Sequence, residues 1–317
     1  PTNPDKRTTV SKEDLRKIKK EYGRPRRTEI REELEEIKVD TTRMIPKEQV
    51  VVVVTNEGYI KKVPQRSYNT AKEEETTLKE NDYVTGLYNI TTTDTLLLFT
   101  NLGNYLYLPV YDIPEVKWKE LGKHISNIIS LSPEEKVINS IPVYNFDEER
   151  YITSFTKNGM VKRTLLNEFK VQRYSKPIKM MNLKGTDEVI SVTDSTLSNV
   201  FIATSNGYGL WYDINEVPVV GIKAAGVKAI SLKDDYVVSG ILFDVASEYL
   251  TILTDKGTAK RMRLTELEKT SRAKRGILLM KTIKSNPSKI IKAYIINSKN
   301  QIGIVSLLRI LLSINIL

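Results

Sequence analysis

A short phrase that occurs five times constrains the fold of this chain more than any other feature. In each copy an apolar run ends in a threonine, and a glycine follows three residues later. The threonines are Thr55, Thr100, Thr156, Thr204 and Thr254, so the copies are 45, 56, 48 and 50 residues apart. Each copy predicts a β-hairpin, because branched and apolar residues favour strands and glycine can adopt the positive φ of a tight turn. A strand-rich repeat of this length is typical of propeller blades, which are stable only when packed on their neighbours.

The second half of each repeat predicts two more strands. An acidic residue two positions before a valine marks a strand start at Val84, Val137, Val189 and Val237. Apolar runs at 128–131, 180–183 and 229–232 predict the strands that precede those starting at Val137, Val189 and Val237. Four strands per repeat indicate an all-β fold with five complete blades. Residues 302–306 begin a partial sixth copy, in which Arg309 occupies the place of the turn glycine.

Residues 1–45 predict a short N-terminal helix and a linker. Leu15, Ile18 and Tyr22 recur at helical spacing, Ser11 is a candidate N-cap, and glycine and proline then end the pattern. The expected domains are therefore a helical segment with its linker, 1–45, and an all-β domain, 46–317.

Residues that catalysis and metal binding require are scarce. His124 is the sole histidine, cysteine is absent, and no glycine-rich phosphate loop opens a helix. A lone histidine in a loop is more often structural than catalytic, so we expect no catalytic residue, no metal site and no cofactor in this chain. The lack of cysteine fits a cytosolic protein, and no apolar run is long enough to span a membrane.

The net charge of +10 is concentrated at the C-terminal end. Residues 247–317 contain 14 basic and 4 acidic side chains, so the charges of the remaining residues cancel. In three repeats a pair of cations also follows the turn glycine by three and four residues. Cations at the same position of consecutive blades would form a curved positive rim, which suits a polyanion.

From these pairs, the loops and the C-terminal cluster we predict a DNA-binding surface. Its residues are Lys61, Lys62, Arg66, Lys162, Arg163, Arg173, Lys176, Lys179, Lys223, Lys228, Lys260, Arg261, Arg263, Arg272, Lys274 and Arg275. Contacts with successive phosphates would bind duplex DNA without reading its sequence. The alternative for a single pair is a solvated cation that protects a sheet edge. The alternative for the whole domain is a propeller that binds acidic protein partners.

Two segments resemble those of a known family. Residues 48–63, Glu-Gln-Val-Val-Val-Val-Val-Thr-Asn-Glu-Gly-Tyr-Ile-Lys-Lys-Val, resemble the first blade of the C-terminal domain of bacterial type IIA topoisomerase A subunits. Residues 21–30, Glu-Tyr-Gly-Arg-Pro-Arg-Arg-Thr-Glu-Ile, resemble the segment that leaves the catalytic core in that family. The resemblance implies a β-pinwheel, in which adjacent blades exchange strands. It also implies that the domain binds and bends DNA for ATP-dependent strand passage. The resemblance places the tyrosine that cleaves DNA, and the sites for ATP and Mg²⁺, outside this chain.

The loop after the first hairpin distinguishes two branches of that family. Gyrase has a Gln-Arg-Arg-Gly-Gly-Lys-Gly-like box there, whereas residues 66–76 lack glycine and include Glu73, Glu74 and Glu75. This difference favours the topoisomerase IV branch, although residues 272–276, Arg-Ala-Lys-Arg-Gly, resemble a shortened box. The gyrase alternative implies DNA wrapping for negative supercoiling.

If the chain belongs to the topoisomerase IV branch, the resemblance implies two partners, double-stranded DNA and the B subunit of topoisomerase IV in an A2B2 enzyme. It implies relaxation and decatenation on the bacterial chromosome in the cytoplasm, with no membrane contact. We expect the fragment itself to be monomeric.

Overall fold

The computed structural model describes residues 4–24, 45–72, 74–244, 247, 249–281, 285, 287–297, 302–305 and 311–314. The chain divides into two units, Pro1–Met44 and Ile45–Leu317. Most of the predicted linker, from residue 25 to residue 44, lies outside the described residues, as does Glu73.

The described part of the first unit is a single helix, α1 (Pro4–Tyr22), with no buried residue. The predicted apolar positions Leu15, Ile18 and Tyr22 lie on it and are exposed. The expectation that Ser11 caps its N-terminus was wrong, because the helix begins seven residues earlier at a proline, which is favourable in a first turn. None of the described helices is long and apolar enough to cross a membrane.

The second unit consists of consecutive small antiparallel sheets. Its elements in chain order are β1 (Gln49–Thr55), β2 (Tyr59–Pro64), α2 (Gln65–Ala71), β3 (Val84–Thr91), β4 (Thr95–Thr100), β5 (Asn104–Pro109), β6 (Lys123–His124), β7 (Val137–Val143), β8 (Tyr151–Thr156), β9 (Met160–Leu165), β10 (Ile178–Lys179), β11 (Val189–Thr193), β12 (Asn199–Thr204), β13 (Tyr208–Asp213), β14 (Val227–Lys228), β15 (Val237–Phe243), β16 (Tyr249–Thr254), β17 (Ala259–Arg263), β18 (Ile277–Leu278), β19 (Ile290–Ile296), β20 (Ile302–Val305) and β21 (Leu311–Ile314). Short 3-10 helices follow the second strand of four hairpins, at Val110–Asp112, Leu166–Phe169, Ile214–Glu216 and Leu264–Glu266, and a fifth spans Ile125–Asn127.

Adjacent blades exchange strands, as the resemblance implied. The sheet orders are β3-β1-β2-β6, β7-β4-β5-β10, β11-β8-β9-β14 and β15-β12-β13-β18. In each of these four blades the last strand has only two residues, and it comes from the segment that follows the next hairpin. The fold is therefore an all-β pinwheel.

The first strand in each of these sheet orders contacts the corresponding strand of the next sheet. Contacts run from β3 to β7, β11, β15 and β19 in succession. Hydrogen bonds join these strands, for example from Tyr88 Oη to the Ser140 carbonyl (2.9 Å) and from Ser191 Oγ to the Gly240 carbonyl (2.9 Å). The exchanged two-residue strands occupy the opposite edge of each sheet, which is the outer edge of the array.

The core lies between successive blades. Val50, Val52 and Val54 of the first blade pack with Leu96 and Leu98 of the second. The alternate residues of β4 face the third blade, where Leu97 and Phe99 pack against Ile152. Because both faces of a blade are covered, the first strand of each hairpin is buried at consecutive positions, as at residues 50–54 and 96–99, instead of alternating.

The constant spacing within the repeated phrase has a direct structural cause. In all five hairpins the threonine hydroxyl accepts a hydrogen bond from the backbone N–H four residues later, at 3.0 to 3.3 Å. The glycine between them has a positive φ, +85° at Gly58 and +82° at Gly159. The acidic residue before each predicted strand binds the same turn, since Asp82 Oδ1 accepts from Glu57 N–H and Asp187 Oδ1 accepts from Asn158 N–H.

Several strand predictions can now be compared with the structure. Strands begin at Val84, Val137, Val189 and Val237 as predicted. The strands predicted at 128–131, 180–183 and 229–232 were wrong: the outer strands lie just upstream, and these runs are loops and turns that bury one or two residues each. A hairpin of β20 and β21 confirms the sixth copy.

The expectation of five complete blades was also wrong for the described residues, where the fifth sheet has three strands, β17-β16-β19. Each outer strand is donated by the following repeat. The fifth blade would therefore need a segment that follows the β20–β21 hairpin.

Candidate nucleic-acid interface

The cation pairs after the turn glycines do not form the predicted rim. The side chains of Lys61, Lys62 and Lys162 are buried, with exposures of 4%, 8% and 0%. They lie on β2 and β9, the strands that the exchanged segments cover. For these three lysines the predicted phosphate contact is contradicted by their burial.

Their ammonium groups bind main-chain carbonyls instead. Lys162 Nζ donates to the carbonyls of Met180 (2.5 Å), Ile222 (2.6 Å) and Gly221 (3.3 Å). Lys61 Nζ donates to the carbonyls of Trp118 and Glu120 and to a threonine hydroxyl, all within 2.6 Å. Burial lowers the pKa of both Lys61 and Lys162 to about 8. The third lysine, Lys62, donates to the Tyr111 carbonyl at 2.8 Å.

The other paired cations are only partly available. Arg163 lies over the Tyr151 ring and donates from Nε to the Val217 carbonyl at 3.0 Å, and burial lowers the pKa of its guanidinium. Arg261 stacks in the same way on Tyr249, with its guanidinium carbon 4.5 Å from the ring centre. Lys260 donates to the Leu279 carbonyl at 2.8 Å but is exposed.

The exposed cations cluster instead on four segments that we call the exchange loops. These are residues 113–124, 170–179, 218–228 and 268–278, each of which ends in a two-residue strand at the outer edge of the preceding blade. The second loop contains four basic and no acidic residues, and the third contains two basic and none acidic. The loops therefore present positive charge at equivalent places on successive blades.

Eight predicted residues lie on these loops. They are Arg173, Lys176, Lys179, Lys223, Lys228, Arg272, Lys274 and Arg275. All but Arg272 are exposed. The prediction missed other cations of the same loops, which are Lys117, Lys119, Lys123, Lys170 and Lys269. Their signal was position, because each lies no more than seven residues from the glycine or proline that precedes an exchanged strand.

The fourth exchange loop holds three of its cations in fixed positions. Arg275 lies over the Tyr208 ring, 4.2 Å from its centre, and its side chain remains exposed. Arg272 donates from Nε to the Glu216 carbonyl at 2.8 Å, so it fixes the loop. Lys269 forms a 2.8 Å ion pair with Asp213. Of these three, Arg275 is best placed to meet a phosphate.

The first blade differs from the others, because its loop is fastened to α2 and the turn after it. Trp118 packs edge-on against Tyr68 of α2, and its Nε1 donates to the Glu74 carbonyl at 2.8 Å. Lys119 forms a 2.8 Å ion pair with the Glu74 carboxylate. The remaining predicted residues, Arg66 on α2 and Arg263 on β17, are exposed and lie outside the exchange loops.

His124 occupies a structural position in the described part of the chain. Its Nε2 lies 2.9 Å from the Glu57 carbonyl and its Nδ1 lies 2.6 Å from Ser126 Oγ, so both ring nitrogens are held at the turn of the first blade. Among the described residues, no group of histidine and carboxylate side chains could hold a metal ion.

Comparison with known proteins agrees with this architecture. The chain is 44% identical over 295 residues to the A subunit of DNA topoisomerase 4 from Bacillus subtilis (strain 168), covering 92% of this chain and 36% of that protein. It is 38% identical to the protein of the same name from Staphylococcus aureus (strain MRSA252), over 94% of this chain and 37% of that protein. The chain thus spans just over a third of the length of these relatives.

The folds agree as well. A crystal structure of the C-terminal domain of DNA topoisomerase IV superposes with a TM-score of 0.82 at 41% identity, covering 86% of this chain and 85% of that one. The family described as DNA gyrase C-terminal domain, beta-propeller, matches residues 49–72, 94–143, 150–193, 198–243 and 248–297. These stretches make up more than half of the sequence, so the chain belongs to the DNA gyrase C-terminal domain, beta-propeller, family.

Proposed function

We propose that the exchange loops bind duplex DNA through its phosphates, without reading base sequence. The observation that carries the proposal is the recurrence of exposed cations on the same loop of successive blades, at the outer edge. The second and third loops together contain six basic residues and no acidic one. Such a surface releases counterions as it neutralises phosphates, which favours binding to any sequence.

The placement of the loops favours a bent duplex. Cations on consecutive blades lie along the outer edge of an array that turns from blade to blade, so a straight duplex would reach only some of them. Bending costs elastic energy, which the additional phosphate contacts offset. The fastened first loop, with Lys119 paired to Glu74, contributes less to this surface than the second and fourth loops.

The proposal extends to the longer protein that the relatives imply. In it, the domain would present a bent DNA segment to the catalytic part of a type IIA topoisomerase of the topoisomerase IV kind. That enzyme would pair two such A subunits with two B subunits, use ATP and Mg²⁺ bound elsewhere, and relax and decatenate the bacterial chromosome in the cytoplasm.

Binding to a short duplex at several salt concentrations tests the DNA proposal. We expect the triple variant Arg173→Ala, Lys176→Ala, Lys179→Ala to bind all duplexes more weakly. The slope of log K against log salt should flatten by up to about 0.9 for each phosphate that is no longer neutralised. The control removes three exposed lysines of α1, Lys6, Lys12 and Lys17, and therefore makes the same change in net charge.

The two triple variants separate a localised surface from general attraction. If the loop variant and the α1 variant lose the same affinity and slope, the exchange loops are not the DNA site. A strong preference for one duplex sequence would also contradict the proposal.

A further inference from the structure

Three of the four exchange loops are joined to their blades by a backbone hydrogen bond at the same place. In each, a loop N–H donates to the carbonyl of the residue four positions after the turn glycine, at 2.8 to 3.1 Å. The pairs are Val116 with Lys62, Val220 with Arg163, and Thr270 with Trp211. Tyr107 occupies this position in the second blade, and no described backbone hydrogen bond joins it to the second exchange loop.

The residue before the exchanged strand also differs in the second exchange loop. In the other three loops it is a glycine with a positive φ, at which an added Cβ would collide with a backbone oxygen of the blade; these are Gly122, Gly226 and Gly276. In the second loop it is Pro177, whose ring fixes φ at a negative value. The second exchange loop therefore cannot approach its blade in the way that these glycines do.

The side chain of Tyr174 provides the contact instead. Among residues 172–176 only Tyr174 is not exposed. Its ring centre lies 5.4 Å from that of Tyr107, and its hydroxyl lies 3.2 Å from the hydroxyl of Tyr111. The Tyr107 ring is in turn stacked on Phe146, with centres 5.6 Å apart. Tyr174 thus joins the middle of the loop to a fixed aromatic group of the second blade.

An acidic residue completes the contact. In the third and fourth blades the equivalent carboxylate accepts a backbone N–H from its exchange loop, at 2.8 and 2.7 Å; the pairs are Glu168 with Ile222 and Glu216 with Arg272. Asp112 has this place in the second blade, and its carboxylate accepts a hydrogen bond from the Tyr174 hydroxyl. Burial raises the pKa of the Asp112 carboxyl, and the hydrogen bond from Tyr174 opposes that shift. A side chain therefore takes the place of a backbone donor in this loop.

We propose that Tyr174 is the positioning residue of the second exchange loop and holds Arg173 and Lys176 where they meet the phosphates of DNA. The inference rests on the proposed function, in which these cations bind DNA. Both are exposed, and they lie one and two residues from Tyr174. A loop that is ordered before binding loses less conformational entropy when it contacts the duplex. Tyr174 itself lies against the blade and acts through its neighbours.

The charge of this loop explains why it needs such a side chain. It has four basic residues and no acidic one, which are Lys170, Arg173, Lys176 and Lys179. Like charges on a short segment repel each other, and the loop has no acid of its own to offset them. A tyrosine adds a large apolar contact and a hydroxyl without a negative charge that would repel phosphate. It can therefore order the loop without weakening its attraction for DNA.

A spin label tests the order of the loop without DNA. The chain has no cysteine, so Ser175→Cys provides a single labelling site on the exposed side of the loop. We expect Tyr174→Ala to increase the mobility of the label, and Tyr174→Phe, which keeps the ring, to increase it less. The matched control is Tyr83→Ala, which removes a partly exposed tyrosine whose hydroxyl lies 3.1 Å from Asn56 Oδ1 in the first blade. It should leave the label as immobile as in the parent chain.

Titration with a short duplex then tests whether the order matters for binding. Every cation is retained in these variants, so a loss of affinity reflects the placement of the cations and not their number. Tyr174→Ala should weaken binding about three- to tenfold, because the loop must then be ordered when it binds. Tyr174→Phe should lie between Tyr174→Ala and the parent, and Tyr83→Ala should equal the parent.

A variant on the blade side covers the case in which Tyr174→Ala does not fold. Tyr111→Phe removes only the hydroxyl that lies beside Tyr174, 63 residues away in sequence. It should also free the label and weaken DNA binding, by less than Tyr174→Ala. Melting curves identify the variants that are as folded as the parent.

The positioning role is overturned if folded Tyr174→Ala leaves the label immobile, or frees it without weakening DNA binding relative to Tyr83→Ala. A loss of affinity with an immobile label would mean that Tyr174 contacts DNA itself, which also overturns it. The variant Arg173→Ala, Lys176→Ala, Lys179→Ala separates this outcome from a failure of the proposed function. If that variant loses affinity and Tyr174→Ala does not, the positioning role alone fails. If neither loses more affinity than its control, the DNA surface fails as well.

Discussion

The position three residues after the turn glycine shows how the same repeat accommodates two opposite residue types. It is lysine at Lys61, Lys162 and Lys260, and leucine at Leu106 and Leu210. Leucine fills the space with apolar atoms, whereas a buried lysine needs hydrogen-bond acceptors for the N–H groups of its ammonium. An ammonium is tolerated in the interior because it donates to several loop carbonyls at once. At Lys61 and Lys162 the charge thus joins loops through their carbonyls.

Substituting Lys162 by alanine tests this structural role. The change leaves the carbonyls of Met180 and Ile222 without their donor and opens a cavity, so we expect a loss of about 2–4 kcal/mol in the free energy of unfolding. Lys184→Ala, at an exposed loop position, is the matched control and should change it by less than about 0.5 kcal/mol. Urea unfolding measures both. Similar midpoints and slopes for the two variants would contradict the carbonyl-bound role.

The pH dependence of stability provides a second test of the same side chain. Burial lowers the pKa of Lys162 to about 8 in the folded chain, against an ordinary value of 10.5 for a lysine. Between these values the unfolded chain binds more protons, so the free energy of unfolding rises with pH, by up to about 1.4 kcal/mol per unit for this group. Compared with Lys162→Ala, the parent chain should gain stability as the pH rises from about 8 to about 10. Parallel stability curves for the two proteins would show that Lys162 does not titrate in this range.

At the scale of elements, the exchange segments determine the fold because each one closes the blade before it. Gly226 shows the constraint on such a segment. Its φ is +82°, and a Cβ would lie 2.5 Å from the Val161 carbonyl oxygen. Backbone conformation and close approach therefore both require glycine at this point.

Replacing Gly226 with alanine should separate the third blade from its exchange loop. We expect a cost of about 1–3 kcal/mol beyond that of Gly185→Ala, because both glycines have positive φ but only Gly226 faces a backbone oxygen. The variant should also bind DNA more weakly, since Lys223 and Lys228 lie on the displaced loop. Thermal unfolding and DNA titration check the two effects. Equal melting temperatures for the two alanine variants would mean that the close approach does not constrain the loop.

The sequence predicted the hairpins and the strands from Val84, Val137, Val189 and Val237 because long apolar runs and turn residues have clear local signals. It did not locate the exchanged strands, since two residues are too few to show a period and their pairing depends on a distant segment. It also assigned Lys61, Lys62 and Lys162 to the surface. Lysine is almost never fully buried unless it is paired, and the carbonyls that bind these lysines are 18 to 60 residues away in sequence.

At the scale of the whole molecule, positive charge is distributed unevenly along the array. The first exchange loop contains two acidic residues, and its Lys119 is paired with Glu74. The second and third loops contain none, and the fourth contains one. A duplex that follows the loops would thus be held firmly from the second blade onward and weakly at the first.

This distribution leads to a prediction about the full enzyme, which rests on the proposed function. A strong hold at the first blade would be needed to close a complete wrap of DNA. The residues after α2 provide acids such as Glu74 and Glu75 instead of a glycine-rich basic box. We therefore expect modest bending, so that the enzyme captures crossed duplexes and relaxes or unlinks DNA without introducing negative supercoils. The measurement is a reaction of the full-length protein with its B partner and ATP on relaxed circular DNA and on catenated circles. Unlinking of the catenanes without supercoiling is the expected result, whereas accumulation of negative supercoils would show that the first blade completes the wrap, as in gyrase.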